Sequence, residues 1–247
     1  MSVTCKLWAG TGNIMFMIAA TIGYARKHKM DYFIPRKTIA PHIWGQPFTQ
    51  FPAGPKQPER MMLYKEKSHG YEEIPYIPSV CLEGYFQSEK YFNHCRQDIL
   101  NGFQIPYKKL DGFVGIHVRR GDYLKYPDKH PVVTYEYLSE AVKYFIAKGY
   151  NSFVVCSDDI KWCRQNLKPL ELFGAVFTFS TNTDPIQDLA LLSCCEHQIC
   201  ANSSFSWWAY WLNQNEEKLG IMPKAWFGPG NAHLETKDIY PENVIIL

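Results

Sequence analysis

Residues 115–124 read GIHVRRGDYL. An apolar run ends abruptly in a histidine, two adjacent arginines and an aspartate. Guanidinium groups make bidentate, charge-assisted bonds to phosphate oxygens, so Arg119 and Arg120 beside His117 could hold a diphosphate. The alternative is a structural Arg–Asp122 salt bridge with the other arginine in solvent, and the spacing leaves both open. Two further polar clusters invite the same question. The SDD of residues 157–159 offers Ser157, Asp158 and Asp159 for a base or ribose, or else aspartates that cap a helix. The NSSFS of residues 202–206 offers the hydroxyls of Ser203, Ser204 and Ser206 and backbone N–H groups for an anion, or else an ordinary N-cap by Asn202 or Ser203.

The elements that must carry these clusters follow from the pattern around them. FVGIHV, SFVVC, AVFTF, HQICA and GIM read as short apolar strands. TYEYLSEAVKYFIAKG, IKWCRQNL, DPIQDLALLSCC and WWAYWLNQ read as helices between them, with NSSFS as a loop. Strands alternating with helices predict an α/β fold with a parallel sheet, whose ligands bind at the carboxyl ends of the strands. HVRRGD, SDD and NSSFS each follow a strand at that end, so three separate clusters converge on one edge.

Nearer the N-terminus, VTCKLWA reads as a strand, GTGN as a turn and IMFMIAATIGYARKH as a helix ending in basic residues. Strand, glycine turn and helix resemble a dinucleotide fingerprint, and Asp31 lies roughly 20 residues on, as that fingerprint expects. Met15 stands where its third glycine belongs. The other reading is a glycine turn whose backbone approaches a ligand. The proline-rich segments PHIWGQPF, FPAGPKQP and EEIPYIPSV predict loops and short strands, and GYFQSEKYFNHCRQDILNGF predicts a turn leading into a helix.

With 247 residues the chain can build one large domain or two modest ones. It is 46% hydrophobic and 20% charged, which excludes extensive disorder. A net charge of +2 lacks the electrostatic footprint of a general nucleic-acid binder. None of the eight cysteines forms a C-x-x-C pair, so a zinc site or redox motif is not expected; the reading is small buried thiols in a reducing compartment. No run reaches membrane-spanning length and no signal-peptide pattern opens the chain, which predicts a cytoplasmic protein with at most peripheral membrane contact.

Taken together, GTGNIMF, LEGYFQSEKYF, HVRRGD, SDDIKWC and DLALLSCCEHQICANSSFSWWAYWLN resemble the α-1,2-fucosyltransferase family, across nearly the whole chain. The resemblance implies two Rossmann-like domains facing a cleft (the GT-B type), with an acceptor-side domain at residues 1–110 and a donor domain at 111–247 whose C-terminal tail can return to the first. It implies GDP-fucose as donor, a galactose-terminated glycan as acceptor and inversion to an α-1,2 linkage. Arg119 would hold the β-phosphate, and Arg120 would support it or bind the nucleotide. His117 with Asp158 or Asp159 would contact guanine or ribose, and Ser203, Ser204, Phe205 and Ser206 would line the diphosphate. Gly12 and Asn13 would close the cleft from the other domain. Asp128, Asp122 and His117 are the candidate bases. No D-x-D motif is present, so two arginines in place of a metal are expected to offset the leaving charge. Two rival functions remain at this point: a nucleotide- or glycan-binding protein without turnover, and an NAD-dependent oxidoreductase using the glycine turn.

Overall fold

The computed structural model describes residues 1–35, 50–54 and 61–247. PHIWGQPF and the end of FPAGPKQP lie outside the described residues. The chain divides into two units, residues 1–105 with 234–240, and residues 106–233 with 241–247.

The first unit contains β1 (Ser2–Cys5), α1 (Thr11–His28), β2 (Asp31–Tyr32), β3 (Ile34–Pro35), β4 (Ala53–Gly54), β5 (Met62–Lys65), β6 (Ser79–Glu83) and α2 (Arg96–Phe103). Its main sheet has the order β2-β1-β6-β5, parallel throughout, and β3 pairs with β4. α1 is buried on nearly every side from Ile14 to Ala25. Arg26, Lys27 and His28 fall in its last turn, where cations suit the helix dipole. Gly23 is needed for close packing: a Cβ there would lie 2.2 Å from the Tyr91 carbonyl oxygen. The turn expected at GTGN is shorter than the sequence suggests. Gly10 is the N-cap, and Thr11, Gly12 and Asn13 already form the first helical turn.

The second unit contains β7 (Leu110–Val118), α3 (Tyr135–Ala147), β8 (Ser152–Ser157), α4 (Ile160–Leu167), β9 (Val176–Phe179), α5 (Pro185–Cys194), β10 (Cys195–Ile199), α6 (Ser204–Leu212), β11 (Gly220–Met222) and β12 (Val244–Ile246). These strands form one parallel sheet in the order β12-β11-β10-β7-β8-β9. Alternation along β7 sorts its side chains. Val114, Ile116 and Val118 join a buried cluster with Leu138, Val142 and Phe145 of α3. Gly115 faces Leu192 of α5 on the opposite side, and His117, two residues on, reaches Ser206 of α6. Trp207, Trp208 and Trp211 of α6 are fully buried, each burial worth roughly 1.5–3 kcal/mol or more. NSSFS is therefore only partly a loop: Ser204, Phe205 and Ser206 are the first turn of α6, with Ser203 as its N-cap. HQICA is shifted, because β10 begins at Cys195 and ends at Ile199.

Candidate functional site

The strand order of the second unit fixes where a ligand can sit. From β7 the chain moves outward through β8 to β9, then returns to β10 and moves outward the other way. The switch point lies between the carboxyl ends of β7 and β10, where the loops diverge and leave a crevice. Arg119 and Arg120 follow β7; Asn202 and Ser203 follow β10. Ser157 ends β8, next to β7.

The two arginines have different surroundings. Arg120 is committed within the protein. Its Nε lies 3.1 Å from Asp159 Oδ2, its guanidinium sits 4.1 Å over the Trp162 ring, and 15% of the side chain is exposed. Its backbone N–H donates to Asp158 Oδ1 at 2.8 Å. Arg119 is more open, with 36% of its side chain exposed. Its Nη2 pairs with Asp122 Oδ1 at 2.7 Å and its Nη1 with Asp158 Oδ2 at 3.0 Å. Asp158 thus bridges consecutive residues, and Gly121 leaves it room: a Cβ there would fall 2.5 Å from Asp158 Oδ2. Asp159 also caps α4, accepting from the Trp162 N–H at 3.1 Å, while its own N–H donates to Ser157 Oγ at 2.9 Å. Capping and arginine pairing are both realised in the SDD cluster.

His117 is buried. Its Nδ1 lies 3.0 Å from Ser206 Oγ, and that hydroxyl also faces the carbonyls of Ala201 at 3.1 Å and Ser203 at 3.3 Å. Carbonyls only accept, so the Ser206 proton goes to them and His117 Nδ1 carries the other. The bare lone pair is then on Nε2, available to a hydroxyl or a base N–H. Burial, reinforced by the Arg119 charge, lowers the His117 pKa to about 3, so the ring is neutral. Phe205 tilts against it at 5.0 Å. Ser203 caps α6, accepting from the Phe205 N–H at 3.3 Å.

Asn202 ties the loops together. Its Nδ2 donates to the carbonyls of Pro131 at 2.9 Å and Trp226 at 3.0 Å, and its Oδ1 is buried without a hydrogen-bond partner among the described residues. Its backbone carbonyl accepts from Tyr123 OH at 2.9 Å. The Tyr123 ring lies 5.8 Å from the Arg119 guanidinium and stacks on His130 at 4.9 Å. Tyr123 and Trp162 are the supports that sequence reasoning misses. Tyr123 directly follows HVRRGD, which is the only local signal of its role.

The structure therefore gathers Arg119, Asp122 and Asp158 into one ion-pair cluster, with Arg120 and Asp159 beside it. Asp128 stands apart from those pairs; its backbone carbonyl accepts from the Gly230 N–H at 2.9 Å. Gly12 and Asn13 belong to the first unit. Gly12 is buried in the first turn of α1, and Asn13 Oδ1 lies 2.6 Å from Gln87 Nε2. Among the described residues, no three His, Cys, Asp or Glu side chains are grouped to hold a metal ion.

The family model for glycosyl transferase family 11 matches residues 65–243. An O-antigen biosynthesis glycosyltransferase of Escherichia coli is 32% identical over 178 residues, covering 64% of this chain and 59% of its own. An alpha-1,2-colitosyltransferase of Escherichia coli is 32% identical over 167 residues, covering 60% and 57%. A galactoside 2-alpha-L-fucosyltransferase of Bos taurus is 29% identical over 164 residues, covering 57% and 45%. The chain spans about half the length of the curated relatives it matches. Among solved structures, Arabidopsis thaliana FUT1 in complex with GDP gives a TM-score of 0.55 at 12% identity, covering 97% of this chain and 75% of that one. The α-1,6-fucosyltransferase NodZ soaked with GDP-fucose gives 0.51 at 12% identity, covering 85% and 92%. At that identity the likeness is one of fold, and the fold is of the GT-B type.

Proposed function

The chain belongs to glycosyl transferase family 11, and on that premise we propose that it transfers L-fucose from GDP-β-L-fucose to O2 of a terminal β-galactoside, inverting to an α-1,2 linkage. The observation that carries this reading is Arg119: a part-exposed guanidinium at the carboxyl end of the central strand, at the switch point. As the bond from sugar C1 to the diphosphate breaks, negative charge moves onto the leaving group. A fixed cation stabilises that charge more in the transition state than in the ground state. Asp122 and Asp158 orient the guanidinium, and the N-terminus of α6 adds N–H donors for the diphosphate. His117 accepts from guanine or ribose through Nε2. Arg120, held by Asp159 and Trp162, supports the loop rather than the phosphate.

Asp128 is taken as the base in this reading, because Asp122 is engaged with Arg119 and buried His117 faces the nucleotide. Metal independence is part of the same proposal, supported by the missing D-x-D motif and by the cation that takes its place. No described helix is long and apolar enough to cross a membrane. All eight cysteines are unpaired, which supports a cytoplasmic location.

The test is turnover of GDP-fucose on a β-galactoside in excess EDTA, with the product read by proton NMR and linkage analysis. An α-fucoside on O2 is expected. A β-fucoside would overturn the single displacement, an α-fucoside on O3 or O4 would overturn the acceptor assignment, and a requirement for divalent ion would overturn the arginine mechanism. GDP binding without turnover would favour the non-catalytic binder. One relative is a colitosyltransferase, so GDP-colitose belongs in the same assay; a preference for it would change the donor sugar alone. Arg119→Lys keeps the charge and loses the planar fork. It should slow transfer by about 100-fold, near 3 kcal/mol of barrier. Rates within twofold of the parent would sink the assignment.

A further inference from the structure

Five non-glycine residues among those described take a left-handed backbone: Ala9, Lys29, Phe86, Gln104 and Asn243. Lys29 and Gln104 cap the carboxyl ends of α1 and α2, where that conformation is common. Asparagine tolerates it at Asn243. Ala9 and Phe86 are left, at φ of 67° and 51°, and for a bulky residue such a backbone is strained. Each directly follows one member of an aromatic pair. Trp8 and Tyr85 lie 5.5 Å apart between ring centroids, with their planes at 60°.

The pair belongs to the first unit and stands just past the carboxyl ends of β1 and β6, at the edge of a parallel sheet where ligands bind. The register of β1 on β6 ends with Cys5 opposite Leu82. Carried on, it sets Lys6 against Glu83, which form an ion pair, and Trp8 against Tyr85. The turn at Tyr85 is held by a carboxylate. Glu66 Oε2 accepts from the Tyr85 N–H at 2.6 Å, and its Oε1 accepts from the Phe86 N–H at 2.8 Å. Gly84 lets Glu66 approach: a Cβ there would lie 2.3 Å from Glu66 Cβ. Phe86 itself is fully buried, which anchors the strained residue from inside. Strain persists only where the surrounding structure over-determines it, and it gathers at ligand sites. At this edge it fixes two rings that both stay part-exposed.

The Trp8 indole N–H and the Tyr85 hydroxyl hydrogen-bond no other described residue. The pair thus offers apolar faces with one donor and one donor–acceptor at its rim. A pyranose is the complement, with an apolar C–H face and a rim of hydroxyls. Planes at 60° leave no parallel slot for a flat nucleobase. We propose that Trp8 and Tyr85 form a platform on which a pyranose ring stacks, that of the terminal galactose of the acceptor glycan. That the sugar is the acceptor rests on the proposed transfer reaction; the platform rests on the paired rings and the strained turns that fix them.

Both parts are tested on the full chain. Nitrogen-15 NMR of the labelled indoles, with Trp8→Phe assigning the signal, follows Trp8 as lactose is added. The Trp8 signal should move and saturate, and in Tyr85→Ala the affinity should fall about tenfold. A signal that stays still, or that sorbitol moves as far, would overturn the platform. Kinetics test the acceptor role. Trp8→Ala should raise the lactose KM about tenfold while kcat and the GDP affinity from calorimetry stay within about twofold. Trp8→Phe keeps an aromatic face and should recover most of the loss. Equal losses in the two variants, or a GDP affinity that falls with the acceptor's, would mean a structural role and overturn the assignment. Should Trp8→Ala fail to fold, Trp8→Phe and the titration of the parent still decide. Lactose moving the Trp8 signal without any turnover of GDP-fucose would sink the transferase reading and leave the platform standing; turnover with a still signal would sink the platform alone.

Discussion

A buried histidine and a half-buried glutamate give the protein opposing responses to pH. His117 has its pKa lowered to about 3 by burial and the Arg119 charge, against an ordinary value of 6.5. Between those values the unfolded chain binds a proton that the folded one refuses, so this contribution is lost as pH falls. Glu66 works in the other direction. Burial raises its pKa to about 7 from 4.5, although the N–H groups of Tyr85 and Phe86 donate to its oxygens and oppose the rise. Above the lower value the folded state keeps a proton that the unfolded state has released, so this contribution is lost as pH rises. Each group contributes a slope of about 1.4 kcal/mol per pH unit within its window. The windows overlap from 4.5 to 6.5, and there the two slopes cancel. Denaturant unfolding across that range should therefore show His117→Gln gaining stability as pH falls and Glu66→Gln losing it. Parallel curves for the two variants would refute the assignments. His117 can be picked from the sequence as a site residue, but its tautomer depends on Ser206, distant in sequence and brought near by the parity of β7.

At the scale of elements, Asp159 shows one carboxylate serving two neighbours. It caps α4 through the Trp162 N–H and pairs with Arg120. Asp159→Ala should cost about 1–2 kcal/mol in thermal or denaturant unfolding. Asp159→Asn keeps a capping oxygen and should recover most of that while leaving Arg120 without this ion pair; equal losses in the two variants would mean the cap contributes little. The sequence predicts α4 over its full span because the aspartate cap and the IKWCRQNL pattern are both local. The arginine partnerships are not legible in the same way, since Arg120 meets Asp159 only when β7 and β8 pair. Helix starts read late where no strong apolar signal marks the first turn, as at Thr11 and Ser204. β12 escapes the sequence because three residues near the end of the chain carry too short a pattern to count as a strand.

At the scale of the molecule, the first unit is not one continuous stretch of chain. Residues 234–240 belong to it although most of the second unit lies between in sequence. Asp238 accepts from the Tyr71 N–H at 2.9 Å and pairs with Lys90 at 2.7 Å, and Ile239 is buried. Asp238→Ala leaves a backbone N–H without its acceptor and should cost about 1–3 kcal/mol, measured by urea unfolding. A change below a few tenths would mean that water replaces the carboxylate. The same connection has a consequence for how the chain is made. On the ribosome, the residues that build β1 and α1 emerge well before the segment that completes their unit, which follows only after β7 to β11. The first unit must wait, with the Tyr71 N–H lacking its final partner, while the second is translated and can assemble its sheet. Of the two, the unit begun earlier cannot be finished until the other is nearly whole.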